Sequence, residues 1–414
     1  MPGDFESFPT AVLFDLVRSG HATTRPELVN VSGAGRKAVT ERVGQLVDAG
    51  LLMDAGLHPS GGGRPVRKLA VDSSAGHVVA VIIGSTEITV ARVDLAGHVI
   101  VSVQSEWEIE RGPQETMQRL AEMIDDTSTS ARILTSPWTI AVGLPGPVEF
   151  STARLIAPAI MPGWDGFSPR AWLRERYDAP VWADNQVHLM ALGEWHASRL
   201  PRRDMLFIEV GVDVGAGLVV DGRVLRGERG GAGAIGHIRV SEGGPVCRCG
   251  KVGCLEVSAG GWSILLQATT RARESTLLTK MLERGPLTLE DIGIAARQGD
   301  QVVGALLHRA AVAVSEVASS LVTFINPGEV VLGGGVLQAG PSFVQTMEAT
   351  IRTTGPDLVT ERLVVRPSSL SDGYGILGAA RLALDAILAP QSLARWLSSG
   401  TPVMHGAELQ RLVS

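Results

Sequence analysis

The sequence predicts a winged helix-turn-helix module joined to a two-lobed α/β body of the actin or hexokinase kind. Three observations carry this. The first seventy residues hold three short helical patterns and then a hairpin with a Gly-rich tip. Residues 79–100 and 206–225 both read strand, Gly turn, strand, Asp-containing turn, strand, an internal echo 127 residues apart (206 − 79). Each echo is followed by alternating helix and strand signals, the mark of an α/β lobe. A length of 414 residues fits such a multi-domain chain.

Composition sets the class. Hydrophobic residues make up 45% and charged residues 19%, which supports a large core and excludes global disorder. No run of 18 apolar residues occurs. The nearest, Ala310 to Ile325, is interrupted by Ser315, Glu316, Ser319 and Ser320 and suits a buried helix better than a membrane span. Met1, Asp4 and Glu6 do not form the basic start of a secretory signal, so a soluble cytoplasmic protein is expected. Net charge is −6, yet Arg18 to Lys68 holds eight Lys/Arg against four Asp/Glu, or +4, leaving −10 for the rest. A basic module on an acidic body suits a DNA-binding regulator.

In chain order, Phe8 to Arg18 forms the first helical pattern. Thr24 and Glu27 have capping-box spacing, with Pro26 in the first turn, and open a second helix through Val31. After Gly33-Ala34-Gly35 a third follows, with Val39, Val43, Leu46 and Val47 assigned to its buried face. Lys37, Glu41, Gly44 and Gln45 then point outward, with Arg36 at the N-terminal end and Thr40 and Arg42 on the flanks. As a recognition helix this segment offers Arg36 and Lys37 to guanine or phosphate and Gln45 to adenine, with Thr40 and Arg42 beside them. Leu51 to Val71 reads as the wing, and Arg64 at its tip suits a narrow minor groove.

In the body, strands are expected near 138–143 and 329–333, and helices near 113–127, 185–198, 300–324 and 373–388. The boundaries are 1–72 for the DNA-binding module, 73–198 for lobe 1, 199–372 for lobe 2 and 389–414 for a C-terminal tail. Helix 373–388 is expected to pack back on lobe 1. A small ligand is expected in the cleft between lobes.

The chain's three cysteines all lie between 247 and 254. Cys247, Cys249 and Cys254 with His237 make a Cys3His set, which closes a tetrahedral zinc shell with no open position, so one structural zinc per chain is expected. Gly250 and Gly253 allow the tight wrap.

At this point the sequence resembles the ROK family (repressors, open reading frames, sugar kinases). Gly236-His237 with the Cys-x-Cys-Gly-x-x-Gly-Cys-x-Glu string ending at Glu256 is the most specific element. Leu144 to Val148, Ala191 to Glu194, Asn326-Pro327, Gly333 to Gly335 and Gly375 to Ala380 are further landmarks. The N-terminal module places the chain with the family's repressors.

The resemblance also exposes departures. Ile82-Ile83-Gly84-Ser85-Thr86 puts isoleucine where kinases of the family carry the Asp that handles phosphate and metal. Gly211-Val212-Asp213 replaces a Gly-Thr-Gly phosphate loop, and Gln186 stands at the expected catalytic Asp. A neutral amide cannot serve as general base, a role worth roughly 10²–10⁴ in rate. The resemblance assigns sugar contacts to Asn185, His237 and Glu256, while Ala234 replaces an expected Glu. Asn185 and Glu256 also have a purely structural reading, as a helix N-terminal residue and a partner of the zinc loop. The expectation is a kinase-dead transcriptional regulator, a repressor, that binds operator DNA as a homodimer or homotetramer and answers to a sugar or sugar derivative. An active sugar kinase and a regulator gated by a partner protein are the alternatives.

Overall fold

The computed structural model describes residues 9–58, 66–158, 161–198, 204–370 and 373–413. Arg64 and the Gly61–Gly63 turn lie outside the described residues. The N-terminal module has helices α1 (Thr10–Arg18), α2 (Arg25–Ser32) and α3 (Arg36–Asp48), then antiparallel strands β1 (Leu52–His58) and β2 (Val66–Val71). The capping box forms: Thr24 Oγ1 accepts from the Glu27 N–H, and Glu27 accepts from the Thr24 N–H. Val39, Val43 and Leu46 are fully buried on α3, but Val47 is 38% exposed. At about 100° per residue Val47 lies about 80° around from Val39, outside the stripe that faces α1 and α2.

Lobe 1 is a five-stranded sheet in the order β5-β4-β3-β6-β9, built from β3 (His77–Ile83), β4 (Glu87–Asp94), β5 (Val99–Glu106), β6 (Thr139–Leu144) and β9 (Val181–Asn185). β7 (Val148–Glu149) and β8 (Arg154–Leu155) form a small ribbon beside it. The meander β3–β5 is antiparallel, and β3, β6 and β9 are parallel. His77–Ile83 is a near-continuous β-branched run and takes the sheet centre, whereas Val99–Glu106 alternates in exposure and takes the edge. Helix α4 (Pro113–Ala131) covers one face, and α5 (Pro169–Arg174) leads into β9.

Lobe 2 repeats the topology as β12-β11-β10-β13-β14, from β10 (Met205–Val210), β11 (Val214–Val220), β12 (Arg223–Val224), β13 (Glu329–Gly333) and β14 (Val364–Pro367). The sequence echo is thus a structural duplication. Helix α6 (Gln186–Ala197) comes between the lobes and touches β6 and β9 on one side and β10 and β11 on the other. Its buried residues run without a gap from Val187 to Glu194. The lobe is completed by α7 (Leu255–Ala259), α8 (Gly261–Thr270), α9 (Thr276–Leu282), α10 (Leu289–Arg297), α11 (Gln301–Ile325), α12 (Ser342–Thr354) and α13 (Asp357–Thr360). By length and composition α11 could cross a membrane, but here it is the core helix of lobe 2, with Val303, Ala310, Val314, Ala318 and Val322 fully buried.

Helix α14 (Tyr374–Leu388) returns to lobe 1 and packs on α6, β3 and β6. The two helices cross with backbones in contact. A Cβ on Gly378 would lie 1.7 Å from the Leu189 carbonyl oxygen, and one on Gly193 2.0 Å from that of Tyr374. Residues expected as a tail form α15 (Pro390–Trp396) and α16 (Gly406–Val413). Trp396 meets Trp138 edge-on at 5.2 Å, and Gln410 donates to the Val181 carbonyl. The N-terminal module shares its core with this region: one buried cluster runs from Leu13 and Phe14 through Trp182 to Leu388 and Trp396. Arg18 seals that junction by pairing with Asp385 at 2.8 Å and Asp15 at 2.9 Å.

Candidate functional site: a thiolate cluster, an interlobe cleft and a basic helix end

His237 ends a short 3-10 turn, Cys247 and Cys249 lie on the following loop, and Cys254 caps α7. Their four ligand atoms lie within 4.8 Å of one another. Cys247 Sγ is 3.7 Å from His237 Nδ1, and Cys249 Sγ is 3.7 Å from Cys254 Sγ. A tetrahedron with Zn–S near 2.3 Å and Zn–N near 2.0–2.1 Å has edges of roughly 3.6–3.8 Å, so the set fits zinc. The same distance is far beyond a disulfide bond. The loop is stitched by the Cys247 N–H donating to the Lys251 carbonyl, and by Gly253 in the left-handed region (φ 82°), where a Cβ would lie 2.0 Å from the Ser241 carbonyl oxygen.

Beside this loop opens the interlobe cleft. Its walls are Pro145–Pro147, the first turn of α6 with Asn185 and Gln186, the β10–β11 turn, and residues 230–234, with His237, Arg248 and Glu256 below. Asn185 caps α6: its Oδ1 accepts from the Val187 N–H, and its Nδ2 donates to the Gly146 carbonyl. Glu256 accepts from the Val214 N–H at 2.8 Å and from Trp262 Nε1 at 2.9 Å. The helix-start reading of Asn185 is thus seen, whereas Glu256 bonds to Val214 and Trp262 rather than to the cysteine loop, and both residues line the cleft. Gly236 is glycine because a Cβ there would meet Glu256 Oε2 at 2.4 Å.

The sequence reading missed several members of this wall. Glu209 stands at the C-terminal end of β10, facing the cleft, and burial with nearby Asp213 pushes its carboxyl up to about 8. Burial and the neighbouring Asp213 likewise push Glu256 up to about 8. Arg248, between two of the cysteines, lies 3.8 Å from Asp213 and over the Trp262 ring. Behind the cleft, Asp184 is fully buried between His188 Nδ1 (2.9 Å) and Arg226 Nε (2.7 Å). His188 Nε2 faces the Ala232 carbonyl, so this triad ties the 226–234 loop to α6. Burial alone would raise the Asp184 pKa, but Arg226 and His188 outweigh it and hold the carboxylate below its ordinary range.

On α3, Arg36, Lys37, Thr40 and Gln45 are exposed and Arg42 is half-buried. Thr40 Oγ1 donates to the Arg36 carbonyl, and Gln45 accepts from Thr10 Oγ1. The N-cap is Gly35, with no side-chain cap and no acidic residue in the first turn.

The model of the ROK family matches residues 78–386. This chain belongs to the ROK family. A glucokinase of Halalkalibacterium halodurans is 32% identical over 314 residues, covering 73% of this chain and 94% of the relative. A xylose repressor of Caldicellulosiruptor bescii is 24% identical over 388 residues, covering 88% of this chain and 92% of the relative. Among solved structures, a ROK family transcriptional regulator described as a homologue of the E. coli MLC protein superposes with a TM-score of 0.77 at 24% identity, over 96% of this chain and 98% of its own. The glucokinase alignment is the shorter one, while the repressor alignment takes in most of the chain.

Within this ROK fold the landmarks have physical jobs. Glu194 is buried and accepts from Arg366, Ser368 and Ser369, tying α6 to the end of β14. Gly193 and Gly378 make the α6–α14 crossing. Ile82 fills the sheet end between Gly143 and Gly375, where a Cβ would meet its Cδ1 at 2.6 Å and its Cγ1 at 3.0 Å.

Proposed function

We propose that this chain is a sequence-specific transcriptional regulator of the ROK family, a repressor, whose kinase-fold body has lost phosphoryl transfer and senses a sugar or sugar derivative. The observation that carries the reading is the basic three-helix and hairpin module at 10–71, ahead of the matched region. It is read as a winged helix-turn-helix with α3 in the major groove. Arg36 and Lys37 sit at the positive end of the α3 dipole, a placement that costs stability unless an anion approaches. A DNA phosphate is such an anion. Thr40, Arg42 and Gln45 on the same helix, and Arg64 on the wing, complete the proposed contacts. The basic module and the repressor relatives fit an operator bound by a homodimer or homotetramer in the cytoplasm.

The sensing site is the interlobe cleft, with Asn185, His237 and Glu256 as its sugar-facing floor. One structural zinc per chain on His237, Cys247, Cys249 and Cys254 would hold that floor and the Arg248 loop in place. A bound ligand that favours one lobe arrangement over the other would bias α6, and through its crossing with α14 the Asp385–Arg18 junction and the DNA module.

The glucokinase relative at 32% identity favours a second reading, an active sugar kinase. Against it, Gln186 offers no base, isoleucine stands where phosphate and metal chemistry needs an acid, and Asp213 puts a carboxyl in the loop where the family's kinases hold phosphate. Purified chain incubated with ATP, magnesium and a panel of hexoses and N-acetylhexosamines decides between them. No sugar phosphate forms on the regulator reading, while turnover with any sugar at ordinary kinase rates of about 1–100 per second overturns it.

A further inference from the structure

The cleft wall carries more acidic groups than basic ones, and this points to its ligand. Three carboxyl groups, Glu209, Asp213 and Glu256, line it against one guanidinium, Arg248. Arg248 is already engaged with Asp213 and the Trp262 ring, and Glu256 with the Val214 N–H and Trp262. Glu209 has no hydrogen bond or ion pair with any described residue, and neither has the Gln186 side chain on the facing wall. Among the described residues the three carboxyls do not converge as the His237–Cys254 set does, so they do not form a shared metal shell. A half-buried carboxyl with no partner among the described residues, beside a second acid, is open to a donor from a ligand, and a cationic donor would also draw off its proton.

We propose that the cleft selects a polyhydroxylated ligand carrying a free primary ammonium, an amino sugar with its amine unacylated, and that Glu209 reads the ammonium. The inference rests on the sugar-sensing reading above. An ammonium supplies three donors and a positive charge that would draw the proton off Glu209 and pair with the carboxylate. Gln186, able to donate and accept, suits a neighbouring hydroxyl. A phosphorylated sugar would bring a dianion against Glu209 and Asp213, and N-acylation removes the charge that Glu209 needs.

Calorimetric titration of the full chain at about pH 7 with glucosamine, glucose, N-acetylglucosamine and glucose 6-phosphate tests this. A charge-assisted hydrogen bond of ordinary strength predicts glucosamine binding about ten- to a hundredfold more tightly than glucose, with glucose 6-phosphate weakest. Glu209→Gln should abolish the preference, and Glu209→Asp, which keeps the carboxyl, should retain part of it; thermal melts confirm that both variants are folded. Glucosamine binding no better than glucose, or a preference that survives in Glu209→Gln, overturns the inference. If glucosamine has no advantage while neutral sugars bind and change operator affinity, the ammonium inference falls and the sugar-responsive regulator stands. If none of the four sugars binds and operator affinity ignores them all, both fall.

Discussion

At Glu209 burial favours the protonated carboxyl, which links cleft chemistry to stability. Its folded value, about 8, lies above the ordinary 4.5, so between those limits the folded chain holds a proton that the unfolded chain releases. Stability should therefore fall as pH rises from about 4.5 to about 8, and Glu209→Gln should remove that part of the slope. Denaturant titrations at pH 5 and pH 8 should show the variant gaining on the native chain by on the order of 1–3 kcal/mol at the higher pH; parallel pH dependences would contradict the burial argument. Asp184 works in the opposite sense. Its depressed pKa gives stability that is present above the ordinary 3.8 and lost as pH falls through the lower folded value. A second residue-scale prediction concerns the metal. Elemental analysis should find about one zinc per chain, falling towards zero in Cys249→Ser with a lower melting temperature. Undiminished zinc in a triple cysteine variant would refute the site. The cysteines were legible because their ligand geometry is encoded in close spacing along the chain. Glu209, Arg248 and the His188–Asp184–Arg226 triad were not, because what matters about them is which distant segment they meet.

Among the elements, the α6–α14 crossing is the tightest constraint on how the lobes join. Gly378→Ala would drive a methyl into the Leu189 carbonyl across the crossing, and both sides are backbone, so neither can yield as a flexible side chain would. A destabilisation of about 3 kcal/mol or more is expected in denaturant melts. A loss within about 0.5 kcal/mol would mean that the helices are not in contact there. Helix α3 has the converse property, a terminus left open. Lys37→Ala should weaken operator and non-specific DNA alike and reduce the slope of log K against log salt by about 1. An unchanged salt slope would remove Lys37 from the phosphate contacts. Periodicity placed α1–α3 and the long helices because a buried stripe repeats along the sequence. It assigned Val47 to the core because a one-dimensional stripe has no edges, whereas the real face of α3 ends where α1 and α2 stop covering it.

For the whole molecule, duplicated lobes, a zinc-fitting loop under the cleft and an N-terminal three-helix and hairpin module packed on the C-terminal helices share continuous buried clusters. The lobe duplication was readable as two matching β-meanders. The docking of residues 390–413 against Trp138 and β9 was not, since nothing local in that segment names its partner. The central claim is that cleft and DNA module act as a single device. The most direct test is fluorescence anisotropy of the full chain on a labelled duplex enriched from a random pool by this protein, titrated with and without a panel of amino, neutral and phosphorylated sugars. The account predicts specific binding with a steep salt dependence, and an affinity changed about fivefold or more by at least one sugar, the scale of ordinary allosteric coupling. Failure to enrich any duplex, or specific binding that no sugar alters, would contradict it.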